Sequence, residues 1–467
     1  MTKELLWKSA TEIRRSILAR DISPVEVIES SLARLEEVEP KINAFVDVTR
    51  DQALSAARET ERAILAGEPV GLLAGLPVSV KDLISVKDAR FTSGSRALEK
   101  NRGVVDAPSV ERVRRHNGSI IGKTTTSEFG CKGVGSSPLT GITRNPWDLS
   151  KTPGGSSAGA AASVAAGVTP FAIGTDGGGS IRLPASFSGL FGIKAQFGRV
   201  PVWPTSATPT LAHVAPIART VRDAALLLQA IAGYDGRDPA SVSQALPDFV
   251  GACDLPPRRM KIAWSPTLGF ARPKPEIVAL VEQAVKVFEG FGCDIELVDK
   301  VVADPIDLFM AEFFAGAGTR LRPVLENNRD LLDPPVARTL EKAINQEMGA
   351  YYATVFKRYE LRQKIWDFLQ NYDAIITPTL PTAAFAAEAD YDPAAGGEDQ
   401  MVGWVSYTYV ANLTGIPAAS IPVGFTAKGL PVGLQILGRH LGEADILSLA
   451  SAYEAVRPWA QHRPPLR

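Results

Sequence analysis

The chain has 467 residues, of which 45% are hydrophobic, so it can bury a large core and is not disordered as a whole. Its 50 lysines and arginines balance 51 acidic residues, and the formal net charge of −1 offers no basic surface for nucleic acid. Three cysteines, Cys131, Cys253 and Cys293, are too few and too scattered for a disulfide framework or a CxxC metal site.

The N-terminal sequence predicts three helices. Ser9 begins a capping box before the first helix, and Ser23 begins another before a second helix that has proline at its first position. A third helix is predicted over residues 51–66 and ends at Gly67, because glycine commonly follows the last turn of a helix.

From residue 76 onward, short apolar runs alternate with helical patterns. The predicted strands are residues 76–81, 119–122, 171–173, 261–264, 294–297, 374–377 and 433–437. The predicted helices are residues 109–116, a segment that begins at 220 and stops at Gly233, and residues 273–290. Strands that alternate with helices are typical of a layered α/β fold with a largely parallel or mixed sheet.

Targeting segments are not evident. The first residues become polar before an apolar stretch develops, which argues against a signal peptide. No run of about eighteen apolar residues predicts a membrane span, and the nearest candidate, residues 158–173, is rich in Ala and Gly and interrupted by Pro170. With the scarcity of cysteine, this pattern predicts a cytoplasmic protein without a membrane or nucleic-acid partner.

Two clusters of glycine and serine, residues 152–159 and 174–184, each lead into a helix-like stretch. Glycines allow several backbone N–H groups to converge on one point, and a following helix N-terminus adds partial positive charge. Such a loop can hold a phosphate or the oxyanion of an acyl-transfer intermediate. The sequence lacks a P-loop and a dinucleotide-binding fingerprint, which disfavours the phosphate.

The first cluster also contains a rival motif. Residues 155–159 match G-x-S-x-G, the nucleophile elbow of α/β-hydrolases, with Ser157 as nucleophile. That chemistry needs a histidine further along the chain. His213 lies in an apolar stretch typical of a packed side chain, His462 lies in the terminal tail, and His440 remains as a candidate base.

Residues 143–201 closely resemble the signature of the amidase signature family, whose members hydrolyse or transfer amides with a Ser–Ser–Lys triad. The resemblance includes the strand that ends at Lys81 and the C-terminal residues 412–418, and in outline it covers about residues 5–460. It implies a layered α/β/α sandwich in which helices surround a large twisted mixed β-sheet.

The resemblance also implies one amidase domain over residues 1–467. Its expected parts are a helical N-terminal part at 1–66, a signature core at 76–201, and at 202–467 the remaining sheet, helices and pocket loops.

The family's catalytic roles fall on three residues of this sequence. Lys81 corresponds to the base, Ser156 to the bridging serine and Ser180 to the nucleophile. The resemblance further implies a cis peptide bond before Ser156. It also implies an oxyanion hole formed by the backbone N–H groups of Gly177, Gly178, Gly179 and Ser180.

The base must be neutral to accept a proton. Lysine has an ordinary pKa near 10.4, so neutrality at pH 7 costs about 4.6 kcal/mol, which burial of Lys81 can supply. Asp82 would oppose this if it pointed inward, but alternation along a strand places it on the opposite face. We expect Asp176 and Arg182 to pair and to support the glycine loop rather than to contact substrate.

The implied reaction is hydrolysis of a carboxylic amide to an acid and ammonia or an amine through an acyl-Ser180 intermediate, without cofactor or metal. A glutaminase-type amidotransferase subunit is the alternative. Residues 125–129 and 201–204 depart from the pattern typical of that subunit. The N-terminal helices are a candidate homodimer surface.

The expected substrate is a small-molecule amide. Its pocket is predicted to include Phe129, Cys131 and Trp203, with further candidates Phe313, Phe314 and Trp404. These side chains favour an aryl or alkyl acyl group, and the sequence shows no evident cationic anchor for an anionic substrate.

Overall fold

The computed structural model describes residues 2–392 and 403–466. The parts of the predicted domain ranges at residues 1, 393–402 and 467 lie outside the described residues. The strands are β1 Phe45–Val48, β2 Pro77–Lys81, β3 Ser119–Thr124, β4 Ser136–Ser137, β5 Gly141–Ile142, β6 Phe171–Asp176, β7 Phe191–Lys194, β8 His213–Ala218, β9 Lys261–Trp264, β10 Asp294–Leu297, β11 Ala374–Pro378, β12 Ala418–Phe425 and β13 Pro431–Gly438.

The helices are α1 Thr2–Leu5, α2 Ala10–Leu18, α3 Pro24–Ile42, α4 Arg50–Ala66, α5 Pro108–Arg115, α6 Ala158–Ala165, α7 Arg182–Ser188, α8 Val221–Ile231, α9 Phe249–Ala252, α10 Pro275–Glu289, α11 Ile306–Asn328, α12 Pro334–Ile344, α13 Met348–Asn371, α14 Tyr409–Thr414 and α15 Glu443–Val456. Of these, none is long and apolar enough to cross a bilayer, as far as the described residues go.

Eleven strands form one mixed sheet. Its order is β1-β3-β2-β6-β8-β7-β12-β13-β11-β9-β10, and β4 pairs separately with β5. β2 is parallel to both β3 and β6, whereas β8 is antiparallel to β6 and β7. The expected mixed sheet in an α/β fold is therefore confirmed.

The sheet separates two large apolar clusters. On β11, Ile376 belongs to one cluster and its neighbour Ile375 to the other. Because successive side chains of a strand point to opposite faces, the clusters cover the two sides of the sheet. β2 is buried along its whole length, as expected for a strand covered on both faces.

The three predicted N-terminal helices are confirmed as α2, α3 and α4. Ser9 and Ser23 each form the predicted capping box. Gly67 follows α4 in the left-handed conformation with φ of 75°, which glycine adopts without steric cost. The predicted strands also form, although most extend by one to three residues at an end.

Candidate active site

Lys81 is the last residue of β2, and its side chain is fully buried. Its Nζ lies 2.8 Å from Ser156 Oγ and 2.8 Å from Thr175 Oγ1. Thr175 belongs to β6, which pairs with β2, so the amine lies between the bridging-serine loop and the neighbouring strand. The contact with Thr175 is not predictable from the motif alone.

Burial holds the pKa of Lys81 well below its usual range, and the charge of Asp176 opposes this only in part. Asp82 does not add to that opposition, because it turns away from Lys81. Its carboxylate pairs with the buried Lys123 at 2.9 Å and accepts hydrogen bonds from Thr92. Burial of Lys81 therefore favours its neutral amine over its charged form.

The loop before α6 carries two serines with different surroundings. The Gly155–Ser156 peptide bond is cis, and a Cβ at Gly155 would lie 2.2 Å from the Val134 carbonyl oxygen, so only glycine fits there. Ser156 Oγ accepts a hydrogen bond from Lys81 Nζ. Ser157 instead donates its hydroxyl to the Thr175 carbonyl at 3.0 Å.

Ser180 is half-buried and shares a cavity of about 270 Å³ with Ser156, Thr175 and Gly177. The two serine loops are joined directly, since the Ser157 N–H donates to the Ser180 carbonyl at 3.3 Å. The structure thus brings the two predicted serines to one cavity, and Lys81 contacts the hydroxyl of Ser156 without lining the cavity itself.

The glycine loop after β6 differs in one detail from the sequence-based expectation. The Gly179 N–H donates to Asp176 Oδ1 at 2.7 Å, so it is already used. The N–H groups of Gly177, Gly178 and Ser180 have no protein acceptor within residues 2–392 and 403–466. These three N–H groups are therefore available to a bound acceptor.

Asp176 and Arg182 form a fully buried ion pair below this loop. Two guanidinium nitrogens donate to the two carboxylate oxygens, each at 3.0 Å. Arg182 also donates to Gln435 at 2.7 Å and to Asn412 at 2.6 Å, and Asn412 in turn donates to Asp176 at 2.9 Å. Arg182 and Asn412 hold the pKa of Asp176 well below its usual range despite burial.

The predicted pocket residues have three different positions. Phe129 and Phe313 line the cavity at Ser180. Cys131 lines a smaller adjoining cavity of about 20 Å³, which also reaches Ser180. Trp203 does not line either cavity, and the Arg237 guanidinium lies over its ring at 4.8 Å from the centroid. Burial raises the pKa of the Cys131 thiol, which makes it a poor nucleophile.

Two other predicted aromatic residues belong to the apolar packing. Trp404 stacks on Phe187 with ring centroids 6.0 Å apart, and Phe314 packs against Phe313. Neither lines the cavity at Ser180.

The rival hydrolase arrangement does not form. The hydroxyl of Ser157 is buried and bound to the backbone of Thr175. His440 lies against Trp366 and lines a separate cavity. His213 is the packed side chain that the sequence indicates: its Nδ1 lies 2.7 Å from the Leu211 carbonyl oxygen, and its Nε2 lies 3.2 Å from Lys194 Nζ.

Sequence analysis named Phe313 as a pocket candidate but missed the two other residues that α11 contributes to the cavity wall. Phe313, Arg320 and Leu321 of this helix line the cavity. The i, i+7, i+8 spacing of these residues is the signal that could have indicated a shared helix face.

With this geometry established, comparison with known proteins decides the family. The Amidase family profile matches residues 26–447. The chain belongs to the amidase family. The amidase is 36% identical to an acylamidase of Rhodococcus erythropolis, over 99% of this chain and 98% of that protein. It is 35% identical to a glutamyl-tRNA(Gln) amidotransferase subunit of Chromohalobacter salexigens, over 98% of each.

Among solved structures, the amidase resembles a bacterial aryl acylamidase of the amidase signature family. The TM-score is 0.91 at 32% identity, and the similarity covers 97% of each chain. The recognised family, the amide-hydrolase class and the fold expected from the sequence are thereby confirmed.

Proposed function

We propose that this amidase cleaves a small carboxylic amide through an acyl-Ser180 intermediate, with Lys81 as the base and Ser156 as the relay. The observation that carries the proposal is the buried Lys81 Nζ at 2.8 Å from Ser156 Oγ, beside the cavity that Ser180 shares. A serine hydroxyl attacks an amide only when a base removes its proton.

In the proposed acylation step, Ser180 Oγ forms a bond to the amide carbon and gives its proton to Ser156 Oγ. Ser156 gives its own proton to the neutral Lys81 Nζ. The carbonyl oxygen becomes an oxyanion, which the N–H groups of Gly177, Gly178 and Ser180 stabilise. Removing one such donor from an oxyanion hole typically lowers kcat by about 100- to 1000-fold.

Collapse of the tetrahedral intermediate breaks the carbon–nitrogen bond. Amines leave poorly without a proton, and the relay supplies one by running in reverse, from Lys81 through Ser156 to the leaving nitrogen. Water then attacks the Ser180 ester and gives a proton to the relay. The bond between the acyl carbon and Ser180 Oγ breaks, the relay returns the proton to Oγ, and the acid is released.

Asp176 and Arg182 support this site without contacting substrate. Asp176 accepts hydrogen bonds from the N–H groups of Gly179 and Ile181, on either side of Ser180. The buried ion pair therefore holds the nucleophile and the oxyanion loop as one unit.

A fluorophosphonate probe tests the assignment. We expect peptide mapping to find the adduct on Ser180, and Ser180→Ala to abolish both labelling and amide hydrolysis. Ser157→Ala is the matched control, because its hydroxyl bonds only to the Thr175 backbone, and it should still be labelled. An adduct on Ser157, or turnover that survives Ser180→Ala, would refute the proposal.

A glutaminase subunit of an amidotransferase is the second candidate, and the 35% identity to an amidotransferase subunit favours it. One measurement, the turnover of simple amides by the isolated chain, distinguishes the two functions. An independent amidase hydrolyses simple amides as the isolated chain, whereas a glutaminase subunit needs its partners for full turnover.

We also propose that the protein acts in the cytoplasm. All three cysteines are buried free thiols, which is consistent with a reducing compartment.

A further inference from the structure

The helix α11 runs from the oxyanion loop to the far part of the substrate cavity. Near its N-terminus, Phe309 and Phe313 pack on the glycine loop so closely that a Cβ at Gly178 would lie 2.5 Å from Phe309 and one at Gly177 2.9 Å from Phe313. Arg320 lines the same cavity seven residues after Phe313. A rise of 1.5 Å per residue places it about 10 Å further along the helix.

The cavity wall combines apolar side chains with hydroxyl groups. Phe129, Phe313 and Leu321 are apolar, and the loop at residues 204–208 contributes the hydroxyls of Ser206 and Thr208. The helix and this loop are in close contact, since a Cβ at Gly316 would lie 2.7 Å from the Ala207 carbonyl oxygen.

Arg320 is the cationic side chain on this wall. The other titratable lining residue, His213, has both ring nitrogens engaged, and burial holds its pKa well below the usual range. Within the described residues, no carboxylate forms an ion pair with Arg320. Glu312, an acidic residue of the same helix, is already paired with Arg358 at 3.1 Å.

The smaller cavity constrains which half of the substrate lies along α11. Its volume of about 20 Å³ next to Ser180 and Gly178 accommodates one molecule the size of water or ammonia. The larger half of the substrate must therefore occupy the cavity of about 270 Å³. For a primary amide, that half is the acyl group.

We propose that the acyl group of the preferred substrate has an apolar chain ending in a carboxylate, and that Arg320 binds this carboxylate. The inference rests on the proposed function, because it takes Ser180 as the point where the amide carbon lies. An arginine guanidinium matches a carboxylate with two parallel hydrogen bonds, which makes it selective for that group.

The test compares two series of primary amides of equal chain length. One series ends in a carboxylate and the other in a methyl group, and the chain ranges from the length of glutamine to about 10 Å. We expect kcat/KM to favour the carboxylate about tenfold at the longer lengths, as a solvent-accessible charge-assisted pair provides. Arg320→Gln should remove this preference, and Arg320→Glu should reverse it.

Arg322 is the matched control on the same helix. Its guanidinium donates to the Ile344 carbonyl at 3.2 Å and does not line the cavity, so Arg322→Gln should keep the preference. A wild-type ratio near one, or a ratio that Arg320→Gln leaves unchanged, would overturn the inference.

A labelling experiment covers the case of slow amide turnover. Two alkyl fluorophosphonates are compared, one with a terminal carboxylate and one with a terminal methyl. In the wild type the carboxylate probe should modify Ser180 about ten times faster than the methyl probe. In Arg320→Gln the two probes should react at equal rates. Equal rates of Ser180 labelling in the wild type would contradict the role of Arg320 but not the proposed function. Labelling elsewhere contradicts the proposed function itself.

Discussion

Lys81 Nζ and Thr175 Oγ1 lie 2.8 Å apart, so the amine at the end of β2 is held from the side by the neighbouring strand. The second hydroxyl at the same distance is that of Ser156. Lys81 thus has two polar partners within an otherwise closed environment, and this arrangement has consequences for both activity and stability.

Lys81→Met should abolish amide hydrolysis and raise the melting temperature at pH 7. The methionine has a similar length and carries no group that resists burial. Since the pKa of Lys81 is lowered in the folded protein, the unfolded chain binds one more proton at pH values between this lowered pKa and about 10.4. Stability contributed by this residue therefore increases with pH across that window in the wild type.

Two measurements check this prediction. The kcat/KM of the wild type should rise with pH through the folded-state pKa of Lys81 and then level off, because only the neutral amine accepts a proton. Calorimetry should show a stability gain for Lys81→Met that shrinks as pH increases. A variant that unfolds at a lower temperature, or keeps near-normal turnover, contradicts the role of a neutral buried base.

Asp176→Asn should destabilise the protein by about 3–5 kcal/mol in denaturant unfolding, because it leaves the buried Arg182 without its counter-charge. The pKa of Asp176 is lowered in the folded state, so its contribution is present above the unfolded value near 3.9 and is lost as pH falls through the folded value. Arg237→Gln, which breaks exposed ion pairs, is the control and should cost less than about 1 kcal/mol. Equal costs for the two variants would contradict the prediction.

Gly178→Ala should lower kcat strongly, because the new methyl group would lie 2.5 Å from the Phe309 ring and displace the glycine loop. Phe309→Leu in the same chain removes part of this ring and should restore part of the lost kcat. Gly236→Ala is the control, since its nearest neighbour would be 3.5 Å away. Steady-state kinetics on one amide measure all three, and a double variant no better than Gly178→Ala would exclude the steric explanation.

Glu128→Gln should change how stability depends on pH. Burial raises the pKa of Glu128 to about 7, so its contribution to folding is present below about pH 4.5 and is lost as pH rises through 7. The wild type should therefore lose melting temperature relative to Glu128→Gln between pH 5 and pH 8. Glu326 is exposed, so the melting temperature of Glu326→Gln should follow that of the wild type at pH 5 and at pH 8. If the melting temperatures of all three proteins change in parallel with pH, Glu128 does not titrate in this range.

The candidate triad was located in the sequence by the resemblance to the amidase signature family, because each motif that carries this resemblance is short. The glycine and serine clusters each lie within about a dozen residues, and Lys81 follows directly from an apolar strand. The hydrogen-bond partners of Arg182 could not be predicted from the sequence. Asn412 and Gln435 lie more than 200 residues away along the chain, and only the folded protein brings them to Arg182.

The cavity walls were predicted less well for a physical reason. An aromatic residue that lines a cavity and one that fills the apolar core have the same local pattern, so Trp203 and Phe313 looked alike in the sequence. Only the folded structure shows how their surroundings differ. Arg237 covers the ring of Trp203, whereas Phe313 contacts the glycine loop. The helix α11 was missed because its apolar residues do not form one narrow stripe.

The helices α11, α12 and α13 form one uninterrupted stretch between β10 and β11, and none of the three proposed triad residues belongs to it. Part of the cavity wall, formed by Phe313, Arg320 and Leu321, is therefore encoded in a stretch that contains no proposed triad residue. We expect exchange of that stretch to alter this wall while all three proposed triad residues are inherited.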